Sequence, residues 1–215
     1  MDAAARRAGR EPGSVELVAV TKYASDEAVL ELARSGRVGW FAENRVQDAE
    51  ARAARVREAG LTARWRLVGH LQTNKAAKAL EVFEAVDSVD SDKAARALQA
   101  RLEGGSRVLP VLVQVKLSER ETQSGADPGS LEGLLATLRG LDRLKVEGLM
   151  AIAPLVEPLE AVRPHFRRMK GLFDRHFPRG GTLSMGMSGD FETAIEEGAT
   201  MVRVGSAIFD ATKVH

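Results

Sequence analysis

The sequence predicts one α/β domain over residues 1–215, a (β/α)8 barrel of the TIM type, and three observations predict it. Eight short runs rich in Val, Ile, Leu and Met recur along the chain, as buried parallel strands do. The stretches between them are rich in Ala, Arg and Glu, and their apolar residues keep helical spacing. The length of 215 residues, without linker, low-complexity run or long repeat, lies near the lower end for one such barrel. An open doubly wound sheet would give the same alternation; length favours the barrel.

The strands fall at 15–21, 38–42, 65–69, 84–89, 109–116, 145–151, 182–186 and 200–204. After the first, Ser25-Asp26-Glu27 offers a capping hydroxyl and two carboxylates to the positive end of a helix. After the second, Val46, Ala49, Ala53 and Val56 recur at i, i+3, i+7 and i+10, an apolar face for a covering helix. After the fifth, Asp127-Pro128 supplies a cap and an early proline for a helix with Leu131, Leu134, Leu135 and Leu138 on one face. The longest helical stretch runs from Pro158 to Phe177, restarted at Pro164, with Phe166, Met169 and Phe173 facing inward as scaffold.

Composition narrows the function. A net charge of +1, from 31 basic and 30 acidic residues, gives no field that would draw the chain onto nucleic acid or a membrane surface. There is no cysteine, which excludes disulfides, thiolate metal sites and a cysteine nucleophile. The histidines, His70, His165, His176 and His215, form no i, i+4 pair with a carboxylate, so no metal is expected. The N-terminus lacks a signal-peptide core, and no run approaches the roughly 20 apolar residues that span a bilayer, so a cytoplasmic protein is expected.

In a barrel, chemistry collects at the C-terminal ends of the strands. Lys22 stands at the end of the first strand, on the face shared by Val18 and Val20. An amine poorly hydrated there can attack an aldehyde; otherwise Lys22 is a surface lysine at a strand end. The last two turns, Ser184 to Asp190 and Val202 to Ala207, place Gly and Ser where strands hand over to helices. Exposed N–H groups and hydroxyls there make a phosphate cradle in the two loops where such barrels hold phosphate, although a single Gly-Ser turn would be only a capped turn.

Arg203 lies mid-strand beside that cradle and can donate to phosphate or to a heteroaromatic nitrogen, or pair with a strand-end carboxylate. Glu43 suits the dipole of the helix it opens, while Asn44 either caps that helix or holds a ligand oxygen. His70 reads equally as a cap, a satisfied buried histidine or an acid/base group. The polar loop Ser118 to Gly125 is either solvated surface or a cover over the site.

A strand-end amine opposite a two-loop phosphate cradle is what pyridoxal 5′-phosphate requires. The chain resembles the pyridoxal phosphate homeostasis protein family, small proteins related to the N-terminal barrel of alanine racemase. The resemblance spans nearly the whole chain and rests on Val18-Ala19-Val20-Thr21-Lys22, Glu43-Asn44-Arg45-Val46-Gln47, Gly69 to Lys75, Gly148 to Ile152, and above all Ser184 to Asp190 with Met201 to Phe209. It implies that Lys22 carries the cofactor as a Schiff base and that Ser188, Gly205 and Ser206 bind its phosphate. It also places Arg203 at the ring nitrogen or the phosphate, with Asn44 and Met187 lining the pocket. The chain departs from the family pattern in having Ala42 and Arg45 around the Glu-Asn pair, Ser206 where Thr is common and Asp210 where Gly is common. The family's first helix usually begins earlier, so this N-terminus looks short.

The resemblance extends to activity. Alanine racemases use a tyrosine from a second, all-β domain, whereas this chain runs only a few residues past its eighth unit and has one tyrosine, Tyr23. The expectation is a monomeric carrier or buffer of pyridoxal 5′-phosphate, without catalytic residues of its own, handing the cofactor to apo-enzymes that depend on it. Two alternatives stand beside it: a slow amino acid racemase using Lys22 and His70, and an aldolase-like barrel whose Schiff base forms with a sugar phosphate.

Overall fold

The computed structural model describes residues 1–117 and 124–210. All eight predicted strands form: β1 (Glu16–Val20), β2 (Trp40–Glu43), β3 (Trp65–Leu67), β4 (Ala85–Val89), β5 (Leu109–Lys116), β6 (Leu144–Ile152), β7 (Thr182–Ser184) and β8 (Met201–Val204). They pair in sequence order, all parallel, and β8 returns to β1 with Glu16 opposite Met201 and Val18 opposite Arg203, so the sheet closes. That closure decides against the open doubly wound alternative.

Nine α-helices are present among the described residues. α1 (Asp2–Arg7) precedes β1, and α2 (Asp26–Ser35) starts at Ser25, whose hydroxyl accepts from the Ala28 amide as expected of a cap. α3 (Val46–Glu58) buries Val46, Ala49 and Val56. α4 (Ala76–Val82) and α5 (Asp92–Leu102) flank β4. α6 (Leu131–Arg139) buries all four predicted leucines, but it starts at Ser130 without a side-chain cap, so Asp127-Pro128 lies too far upstream to act. α7 (Arg163–His176) carries Pro164 in its first turn and buries Phe166, Met169 and Phe173, each burial contributing about 1.5–3 kcal/mol. α8 (Phe191–Glu196) and α9 (Ser206–Phe209) complete the ring.

Strand alternation divides the core. Val18, Trp40, Ala42, Val68, Ala85 and Met201 point into the barrel, while Ala19, Phe41 and Leu67 pack under the helices. The interior also carries charge. Arg66 donates to both carboxylate oxygens of Asp87, at 2.8–3.0 Å, and both residues are buried. Burial penalises the Arg66 charge, but pairing with Asp87 outweighs it and the guanidinium stays above its ordinary value. Trp40 stacks beside this pair, 4.5 Å from Arg66 and 3.6 Å from Arg64. No helix among the described residues is long and apolar enough to cross a membrane.

Candidate functional site

A cavity of about 570 Å³ opens at the C-terminal end of the barrel. Lys22, Asn44, Met187, Ser188, Arg203, Gly205 and Ser206, the seven residues singled out in the sequence, all line it. They arrive from four places: the β1–α2 turn, the end of β2, the β7–α8 turn, and β8 with the start of α9.

Lys22 differs from its expected state. β1 ends at Val20, and Thr21 takes the buried position while Lys22 is exposed. The premise of a poorly hydrated amine is therefore corrected, although the predicted face holds, since Lys22 reaches the same cavity as Val20. Its amine rests 4.7 Å from the ring centre of Tyr23, itself 85% exposed.

Next to the Lys22 segment rather than opposite it, since β8 pairs with β1, the turns after β7 and β8 are tied together by one hydroxyl. Ser188 Oγ accepts from the Gly205 amide at 3.1 Å and the Ala207 amide at 3.3 Å. Two backbone N–H groups thus converge on a single oxygen, as they must to hold an anion. Asp190 Oδ1 accepts from the Met187 amide at 2.6 Å and fixes the first turn. Gly205 is needed for close approach, because a Cβ there would meet the Val20 carbonyl oxygen at 2.9 Å.

Arg203 is buried and reaches from β8 to β7 and β6. Nη1 donates to Ser184 Oγ at 2.7 Å and Nη2 to the Ala151 carbonyl at 2.9 Å. No strand-end carboxylate is bonded to it in these contacts; Asp87 and Asp190 act on it at longer range. Burial pulls its guanidinium down to about 10, with those two carboxylates opposing, so at neutral pH it remains charged. Two of its five N–H donors are accounted for by these bonds, and its side chain borders the cavity.

Asn44 lines the cavity and does not cap; the residue before α3 is Arg45. Gly69 lets the next loop pass against Asn44, whose carbonyl oxygen would lie 2.1 Å from any Cβ added there. Glu43, expected at the helix dipole, is instead the last residue of β2 and fully buried. His70 is exposed rather than buried, on the cavity rim, with Nδ1 3.4 Å from Asp90. Of the polar loop expected as surface or cover, residues 118–123 lie outside the described residues. Gln114, a polar residue near the C-terminal end of β5 to which the sequence assigned no role, lines the cavity and donates to the Ser124 carbonyl at 2.9 Å.

Fold and site together define a closed (β/α)8 barrel that presents at one cavity a lysine amine and, beside it, the hydroxyls and tied turns that follow its last two strands. The sequence model described as alanine racemase, N-terminal domain, matches residues 2–213, and the chain belongs to that family, among the pyridoxal phosphate homeostasis proteins. The pyridoxal phosphate homeostasis protein of Escherichia coli K12 is 37% identical over 216 residues, covering 98% of this chain and 92% of its own. That of Vibrio alginolyticus is 36% identical over 211 residues, covering 96% and 90%. PipY of Synechococcus elongatus PCC7942, solved with PLP bound, superposes with a TM-score of 0.82 at 34% identity over 95% of this chain and 97% of that one. Alanine racemase of Clostridium difficile 630 shares the fold at a TM-score of 0.72 and 14% identity, with 54% of its length covered.

Proposed function

We propose that this protein binds pyridoxal 5′-phosphate on Lys22 and serves its homeostasis as a carrier or buffer, without strong catalytic activity. The observation that carries the reading is an exposed amine and a two-turn cradle lining one cavity of about 570 Å³. The family supports it through relatives named for pyridoxal phosphate homeostasis and through PipY, solved with PLP bound.

The cofactor supplies an aldehyde, which condenses with a primary amine and releases water. Lys22 offers that amine from the rim of the cavity. The hydroxyls of Ser188 and Ser206 would donate to phosphate, together with the amides of Gly205 and Ala207, which in this structure donate to Ser188 Oγ and would be released to the ligand when that hydroxyl turns away. Arg203 borders the cavity and would donate to the phosphate or to the ring nitrogen; having no acceptor atom, it would leave that nitrogen unprotonated in the second case and the ring a weaker electron sink. An exposed Lys22 suits hand-over of the cofactor to apo-enzymes better than chemistry in a closed site.

The test is an absorbance scan of the purified protein mixed with pyridoxal 5′-phosphate. A new band that disappears in Lys22→Ala is expected; no band, or one unchanged by that substitution, rejects the reading. Exchange of an amino acid α-proton with solvent, lost in Lys22→Ala, would favour the racemase alternative. Borohydride trapping of a sugar-phosphate mass on Lys22 would favour the aldolase alternative.

A further inference from the structure

Behind the cavity, on the helix side of the sheet, sits a buried polar group that the proposed function does not use. Glu43 is fully buried at the end of β2, and its side chain points away from the cavity that Asn44, its neighbour, lines. Its Oε1 accepts from the Thr21 hydroxyl at 2.5 Å and from Arg52 Nε at 3.0 Å. Its Oε2 is buried with no hydrogen-bond partner. A buried carboxylate with an unpartnered oxygen opposes stability, so its worth is to be sought in what it holds in place.

What it holds is the segment that carries Lys22. Thr21 is fully buried and points to the helix side, opposite to Lys22. The Thr21 amide donates to the Ala42 carbonyl at 3.0 Å, and its hydroxyl lies 3.2 Å from the same oxygen. Arg52, from α3, grips the far side of the turn: Nη1 donates to the Ala24 carbonyl at 3.1 Å and lies 3.5 Å from Asp26. Three of the contacts that hold residues 21–26 therefore run through Glu43 or its partner Arg52, beside the Thr21 amide bond to Ala42 and the pairing of Asp26 with Arg55. Lys22 is exposed and gains little guidance from packing of its own side chain. Its approach to the cavity is set by the backbone beneath it.

We infer that Glu43 is a positioning residue for Lys22, acting through Thr21 and Arg52 to fix the β1–α2 turn so that the amine meets an aldehyde held in the cradle. The inference rests on the proposed function in taking Lys22 as the attachment point. The step it governs forms the bond from Lys22 Nζ to the aldehyde carbon; the carbonyl oxygen leaves as water with both protons of the neutral amine.

Two readouts on the full-length chain separate positioning from folding and from cofactor affinity. The first is the dissociation constant for pyridoxine 5′-phosphate, which carries an alcohol in place of the aldehyde and cannot attach. The second is the rate at which the Lys22-dependent absorbance band grows after pyridoxal 5′-phosphate is added. Glu43→Ala and Thr21→Val are each expected to slow attachment about 10- to 100-fold, the range for a reacting group misplaced by about an ångström, with analogue affinity kept within about twofold. Thr21→Ser, which restores the hydroxyl, is expected to restore the rate. If Glu43→Ala does not fold, Thr21→Val carries the test, since it keeps the side chain's shape. Attachment at the wild-type rate in Thr21→Val, or equal loss of attachment and of analogue binding, overturns the inference. A wild-type chain that binds the analogue yet never shows the band overturns the proposed function instead.

Discussion

The two walls of the cavity hold their functional groups by opposite means. On the β7–β8 wall the groups are backbone amides, aligned in advance by strand ends, by Gly205 packed on Val20, and by the Ser188 hydroxyl that ties the two turns. On the β1–β2 wall the group is a long, exposed side chain whose backbone is fixed from behind by Thr21, Glu43 and Arg52. Rigid donors suit a phosphate, which must be recognised the same way each time. A mobile amine on a fixed base suits a bond that has to be made and unmade.

If that contrast is right, damage to either wall has its own signature. The largest effect is expected from Lys22→Ala: the cofactor band vanishes while pyridoxine 5′-phosphate still binds, read by titration. Next is Gly205→Ala, where the new Cβ would sit 2.9 Å from the Val20 carbonyl and displace the cradle. Analogue affinity is expected to fall about 10- to 100-fold there, by calorimetry. Ser188→Ala removes one hydroxyl and leaves the Gly205 and Ala207 amides to the ligand, so analogue affinity is expected to fall only about tenfold or less. A loss in Ser188→Ala as large as in Gly205→Ala would mean that side chains, not backbone, build this wall.

The smallest effect concerns pH. Burial pushes the carboxyls of Glu43 and Asp190 above their ordinary values, against the Thr21 hydroxyl and Arg52 at Glu43 and the Met187 amide at Asp190. Their folded-state pKa values exceed the unfolded ones, so the folded chain binds more protons just above the ordinary carboxylate range. Stability from these groups is full below that range and is lost as pH rises through the raised values. Denaturant melts across this window are expected to show a modest decline in wild type and a flatter profile in Glu43→Gln; an unchanged slope would place the titration elsewhere.

The two walls were also unequally legible in the sequence. The cradle could be read because its parts are local: Ser188 and Gly205-Ser206 each sit at a strand-to-helix turn, and the barrel brings the last two turns together. Lys22 could be read from strand alternation, but its hydration could not, because β1 stops one residue earlier than its apolar run implied. The support behind it was hidden, since Thr21, Glu43 and Arg52 come from three elements and only register brings them within 2.5–3.0 Å. Read locally, Glu43 resembled a helix-start carboxylate. The pairing of Arg66 with Asp87 escaped for the same reason, as residues of two strands joined inside the barrel.

The central claim is that Lys22, rather than another lysine, receives the cofactor. Borohydride reduction of the protein with pyridoxal 5′-phosphate, followed by peptide mass mapping, tests it most directly. The account predicts one reduced cofactor equivalent, on the peptide containing Lys22. No added mass, or mass placed chiefly on Lys75 or Lys116, would contradict it.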